Sequence, residues 1–246
     1  MSKSPIARLS LDELESYLHE HRENALAGNP VQLVILHHTW QPTAADYAGE
    51  KTWQAIRRYH IETRGWREIG YHLGIAPDGT VWRLRPLTMT GAHCLGRYQG
   101  HRVNDVSIGL AMIGNFDVED PELCLPLACQ VMAIVCRVFG FGPGQIYFHR
   151  NFQDKSCPGL KVHRGDVRDR VAAILAGNQP EPPYPQSLDV APWAEEAVKT
   201  LRDQGILSGY PDGSFRGGHP VTRNELAAAL YKLLQHLQAS PGGGER

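Results

Sequence analysis

The sequence predicts an α/β fold, with a mixed central β-sheet flanked by helices, followed by a small all-helical C-terminal domain. Three features carry this expectation. Two near-continuous apolar runs, "VQLVILHHT" at 31–39 and "VSIGLAMIG" at 106–114, read as buried strands. Stretches of helical period surround them. A proline-rich segment, "GNQPEPPYPQS" at 177–187, then marks a semi-rigid linker to a second unit.

In chain order, residues 10–25 form an amphipathic helix. Ser10 and Glu13 make a capping box, and Leu11, Leu14 and Leu18 share one face. Asn29-Pro30 ends it, and the 31–39 strand follows. Residues 44–63 read as a helix with Tyr47, Ile56 and Tyr59 inward. Residues 70–85 read as strand, Pro77-Asp78-Gly79-Thr80 turn, strand. After the 106–114 strand, a helix starts near Pro126 and stops at Gly140. "QIYFH" is a short strand, and 165–176 is a helix with Val167, Val171, Ile174 and Leu175 on one face. Beyond the linker come a helix ending at Gly205, a tight turn "SGYPDGSF", and a helix opened by a Thr222/Glu225 capping box. The tail, 239–246, is expected to be disordered.

The formal net charge of −1 gives no bulk basic field to attract nucleic acid or an anionic membrane surface. No run approaches the ~18 apolar residues of a membrane span. The N-terminus lacks the apolar core of a secretory signal, so the chain is expected in the cytoplasm until something releases it. The five cysteines are odd in number and not spaced as a disulfide framework; Cys129 and Cys136 read as buried small hydrophobes. A reducing compartment fits them.

His37 and His38 lie inside a strand that should be buried. Side chains alternate across a strand, so only one of the pair can join a given site. Each of His37, His149 and Cys157 alone has a plain reading: a hydrogen-bonded core histidine, or an inert thiol before a proline. Together, two histidines from strand ends and one cysteine from the loop "FHRNFQDKSCPG" form a three-ligand set suited to zinc. Three protein ligands with an open fourth position is the catalytic arrangement. Tyr71 in "IGYHLG" is placed to donate a hydrogen bond to a substrate carbonyl or to orient water, and Lys155 to stabilise an oxyanion.

The segments "VILHHT", "WREIGYHLGIAPDGTVW", "GAHCLG", "NDVSIGLAMIGNF" and "HRNFQDKSCPG" occur in that order. Together they resemble the zinc-dependent type 2 N-acetylmuramoyl-L-alanine amidases, a family that includes phage lysozymes of amidase type and peptidoglycan recognition proteins. The resemblance spans an amidase domain at 30–176, after an N-terminal helical segment at 1–29. It implies hydrolysis of the amide between N-acetylmuramic acid and L-alanine in peptidoglycan. It implies zinc bound by His37, His149 and Cys157, catalysis by Tyr71 and Lys155, and a substrate groove lined by His93, Asn104 and Trp66. His38, His60, His72, His101 and His163 are read as supporting, surface or core residues. Recognition proteins that bind without cutting typically lose the cysteine, which is present here. A phage or prophage endolysin is the expected setting. A host autolysin and a non-catalytic peptidoglycan-binding protein are the alternatives.

Residues 188–238 resemble a single surface-layer homology (SLH) module. The resemblance implies binding to a secondary cell-wall polysaccharide, with Gly209, Asp212 and Gly213 in the turn and Arg223 and Glu225 in the "TRNE" segment. Two departures stand out. Ser187-Leu188 replaces the aromatic usual before Asp-Val, and one module is present where three are usual.

Overall fold

The computed structural model describes residues 6–177, 190, 195–208, 215, 221 and 223–239. The chain divides into two units, Met1–Asn178 and Gln179–Arg246.

The first unit runs β1 (Ala7–Leu9), α1 (Leu11–Glu20), β2 (Leu33–His38), α2 (Glu50–Arg58), β3 (Leu73–Ile75) and β4 (Val81–Arg83). It continues with a two-residue pair, β5 (Arg97–Tyr98) and β6 (His101–Arg102), then one-turn α3 (Val103–Val106), β7 (Ser107–Met112), α4 (Leu125–Phe139), β8 (Ile146–Phe148) and α5 (Arg164–Leu175). Six strands form one sheet in the order β1-β4-β3-β7-β2-β8. β2 pairs in parallel with β7 and β8, while β4 pairs antiparallel with β1 and β3, so the sheet is mixed.

β2 and β7 are buried along their whole length, as continuous apolar strands require. Their side chains alternate between two cores. Val34 and Leu36 pack with Ile108, Leu110 and Met112 against α1, α4 and α5. Leu33 and Ile35 face the other way, with Cys94, Val103 and Val106. The same alternation sends His37 and His38 to opposite faces. α4 carries Pro126 in its first turn and stops at Gly140, whose φ of 76° lets its N–H reach Cys136 O at 2.9 Å. All five cysteines are free and buried.

Three local expectations change. The N-terminal segment, expected as helical, opens with a strand: Ala7–Leu9 adds an edge strand to β4, and Leu14 and Leu18 of the helix that follows are fully buried in the α4 core. A three-residue strand is too short to show a period in sequence. α2 begins after Gly49, later than residue 44, because residues 44–46 make only a single tight turn. Tyr59 is exposed rather than inward, and fully buried Trp53 anchors that helix.

The second unit contains α6 (Glu195–Asp203) and α7 (Arg223–Ala239). Gly205, at φ 71°, ends α6, and Ile206 N donates back to Leu201 O at 2.9 Å. The "YPDG" turn and Thr222 lie outside the described residues. Among the described residues, no helix is long and apolar enough to cross a membrane.

Burial of α1 makes a test of its place in the domain. Leu14→Ala is expected to destabilise the protein by about 2–5 kcal/mol. Removing the exposed ion pair that links Glu15 of this helix to Arg137 of α4 should cost under ~1 kcal/mol. Denaturant unfolding of both variants checks this, and equal effects would contradict the packing described.

Candidate metal centre

Two parallel strands end side by side and present the first two groups of the site. His37 is the penultimate residue of β2 and is fully buried. His149 follows β8 directly, in a one-turn helix, His149–Asn151. The chain then loops back through 152–163 and brings Cys157 beneath β2. The Cys157 Sγ lies 3.7 Å from His37 Nδ1 and accepts the His38 N–H at 3.4 Å. One ligand atom from each of His37, His149 and Cys157 lies within 4.8 Å of the others.

Groups that sequence reasoning missed shape this loop. Arg150 donates to the carbonyls of Ser156 at 3.0 Å, Gly159 at 2.7 Å and Val162. Asp117 accepts from Ser156 Oγ at 2.8 Å and Leu160 N at 2.9 Å. Gly159, at φ 120°, passes so close to Phe116 that a Cβ would meet its backbone carbon at 2.5 Å. Only the glycine was visible in sequence, as the last residue of "CPG"; the arginine and aspartate carry no spacing signal.

The donor set fits a zinc ion. His37 turns Nδ1 toward Cys157, and each histidine has Nε2 engaged, which leaves Nδ1 for a metal: His37 Nε2 with His93 Nδ1 at 3.0 Å, and His149 Nε2 with Gln153 Oε1 at 2.7 Å. Burial holds His37 well below the usual histidine range and also lowers His149, so neutral imidazoles face the site. Burial pushes the Cys157 thiol up to about 12, so a thiolate there needs a nearby cation. Two neutral imidazoles and one thiol that ionises only with a metal are ligand chemistry for zinc, with a fourth position left for water or substrate.

Tyr71 packs its ring 5.2 Å from that of His37. Its phenol is pushed well up by burial, and then by Cys157, so it stays a hydrogen-bond donor. Tyr71, Trp66 and exposed Lys155 line one cavity of about 810 Å3, together with Thr39, His60 and Arg64. That volume is in the range of ligand sites, roughly 300–1,000 Å3. Trp66 stacks on His60 at 4.6 Å, with the Arg64 guanidinium 5.7 Å from its ring.

Two expected groove residues are placed differently. His93 is buried behind His37, and Asn104 Oδ1 accepts the His93 and Cys94 N–H groups at 3.0 and 3.1 Å, shaping the segment that carries His93. His38 points into the opposite core, where its Nδ1 accepts the Phe116 N–H at 3.2 Å. Gly209, Asp212 and Gly213 lie outside the described residues. Arg223 and Glu225 fall in the first turn of α7.

The fold and site define an α/β domain with a cluster of two histidines and one cysteine beside an open cavity. The N-acetylmuramoyl-L-alanine amidase family model matches residues 27–160, more than half of the chain, and an S-layer homology domain matches 189–227. The chain belongs to the N-acetylmuramoyl-L-alanine amidase family and carries an S-layer homology domain after it. It is 31% identical over 142 residues to peptidoglycan-recognition protein LB of Drosophila melanogaster, covering 54% of this chain and 56% of the relative. It is 32% identical over 141 residues to the N-acetylmuramoyl-L-alanine amidase of Homo sapiens, covering 53% of this chain and 23% of that one. Among solved structures, the amidase LysC of Clostridium intestinale is 28% identical, with a TM-score of 0.47 over 58% of this chain and 85% of LysC. The chain thus spans about half of the fly relative's length and less of the human one.

Two buried histidines of this region make stability depend on pH. His72 Nδ1 accepts the Gly109 N–H at 3.1 Å and its Nε2 donates to Met89 O at 3.0 Å, while His60 Nδ1 accepts the Gly70 N–H at 3.2 Å. Burial pulls both down to about 4 from an ordinary 6.5. Between those values the unfolded chain binds protons that the folded chain refuses. Stability is therefore full above about pH 6.5 and falls as the pH drops toward 4, on the order of 2 kcal/mol per histidine. Denaturant midpoints measured across that range check this, and a flat profile would contradict it.

Proposed function

We propose that this chain is a zinc-dependent N-acetylmuramoyl-L-alanine amidase that cleaves the bond between N-acetylmuramic acid and L-alanine in peptidoglycan. The observation that carries the reading is the convergence of His37, His149 and Cys157 beside Tyr71, next to a cavity that Tyr71 and Lys155 line. The family supplies the substrate class, and its recognition-protein members make peptidoglycan binding the part shared by all readings.

His37, His149 and Cys157 would hold the ion. Zinc, when bound, supplies a Lewis acid and a water of pKa about 7. The chain's own residues do the rest. The cavity takes the muramyl-peptide junction. The Tyr71 hydroxyl keeps its proton and donates a hydrogen bond to the scissile carbonyl or the attacking water. Lys155 brings a positive charge to the carbonyl oxygen as negative charge develops there. The amine of L-alanine leaves and the glycan strand stays whole.

The biological setting we propose is lysis by a phage or prophage enzyme. The second unit would hold it at the wall through a secondary polysaccharide, with Gly209, Asp212, Gly213, Arg223 and Glu225 as the contacting residues. An enzyme that acts on the wall and a domain of wall-binding type on one chain support this reading.

Purified cell walls test the proposal. Digestion should release new L-alanine N-termini and leave the glycan intact. Cys157→Ala should lose this activity while sedimenting with walls as the parent does. Lys155→Ala should keep its zinc and lose about 10²–10³ in kcat, the usual effect of removing one oxyanion-stabilising group. A Cys157→Ala protein that digests walls at the parental rate would overturn the reading.

A further inference from the structure

We infer that His93 is a positioning residue which, backed by Ser107, locks His37 in the tautomer that carries its proton on Nε2 and turns the bare Nδ1 toward Cys157. Its consequence for metal affinity rests on the zinc reading above. The tautomer itself is a property of the chain without metal.

The assignment follows from counting hydrogens, starting at the far end. The Ser107 hydroxyl has one proton, and it is donated to Val103 O at 2.6 Å. Toward any other partner Ser107 Oγ can only accept. That partner is His93 Nε2, at 3.3 Å, and the Ser107 carbonyl oxygen, also an acceptor, lies 3.5 Å from the same nitrogen. Two acceptors facing His93 Nε2 require a proton on it. A neutral imidazole then has a bare Nδ1. His37 Nε2 lies 3.0 Å from that bare nitrogen, so it must be the donor. The lone pair of His37 is left on Nδ1, 3.7 Å from Cys157 Sγ.

The fold is built around the His93 ring. A Cβ at Gly109 would lie 2.5 Å from His93 Cδ2, and a Cβ at Gly91 would also lie 2.5 Å from that atom. Two glycines on different segments thus leave the room that the ring fills. β7 supplies Gly109 and Ser107 opposite Ile35 and Leu33 of β2, on the sheet face that carries His37. The "GAH" and "SIG" motifs therefore act through His37 and not in the groove.

The second histidine uses the same device. The Leu95 N–H donates to Gln153 Oε1 at 3.1 Å, which fixes that oxygen as an acceptor. His149 Nε2, 2.7 Å from it, must then donate, which leaves Nδ1 bare and free to serve as the ligand atom. Metal-bound histidines depend on such partners, whose loss typically weakens metal binding 10–100-fold.

Side-chain nitrogen NMR of the metal-free full-length chain reads the tautomer directly, and chelator competition reads zinc affinity. The wild type should show His37 protonated on Nε2 alone. His93→Ala should mix the tautomers and weaken zinc about 10–100-fold. His93→Asn, whose carbonyl oxygen can replace Nδ1 as acceptor, should recover most of that loss. Gly109→Ala, which keeps the histidine but fills its slot, should weaken zinc in the same direction and decides the matter if His93→Ala does not fold. A wild-type His37 protonated on Nδ1, or a folded His93→Ala with unchanged tautomer and zinc affinity, would overturn the inference. A wild type that holds the Nε2–H tautomer yet binds no zinc would support the inference and defeat the functional reading instead.

Discussion

His37 sits fully buried at the end of the central strand, and both of its ring nitrogens need partners there. An imidazole in such a place is expensive to leave unsatisfied, by roughly 1–3 kcal/mol for each unpaired polar atom. One nitrogen is satisfied from within by His93. The other faces Cys157, and among the described residues the ligand-type groups gathered with it are Cys157 and His149. This second nitrogen meets the Cys157 thiol at 3.7 Å, a weak partner that a bound cation would replace. The parallel β2–β8 pairing places His149 alongside, and the return loop completes the set.

That return loop is irregular, so its shape must come from side chains. Arg150 bonds three carbonyls of the loop, and Asp117 holds it from the far side of the sheet end. Gly159 permits the close pass over Phe116. These groups touch no proposed ligand atom, yet they set where Cys157 stands. A thiol pushed up to about 12 by burial is inert by itself. Its value to the site lies in position and in the charge a bound metal would let it adopt.

Much of this was legible in the sequence, because two physical signals are strong. Unbroken apolar runs marked β2 and β7 as central strands, and their period of two already separated His37 from His38. A capping box marked α1 and a stop glycine marked α4. What stayed hidden has a common cause: contacts between distant segments leave no local pattern. β1 is three residues long and is a strand only because β4 lies beside it. Arg150, Asp117 and Gln153 look like ordinary loop polar residues. His93 and Asn104 were visible as motif members, but the motif did not say which way they face. The glycines of "GAH" and "SIG" held that information, since each sits where a Cβ would strike the His93 ring.

The central claim is that His37, His149 and Cys157 share one zinc ion. X-ray absorption at the zinc edge of the purified full-length protein tests it most directly. One zinc per chain is expected, with one sulfur at about 2.3 Å, two imidazole nitrogens at about 2.0–2.1 Å and one further light-atom ligand. A spectrum without sulfur, or one saturated by four protein ligands, would contradict it.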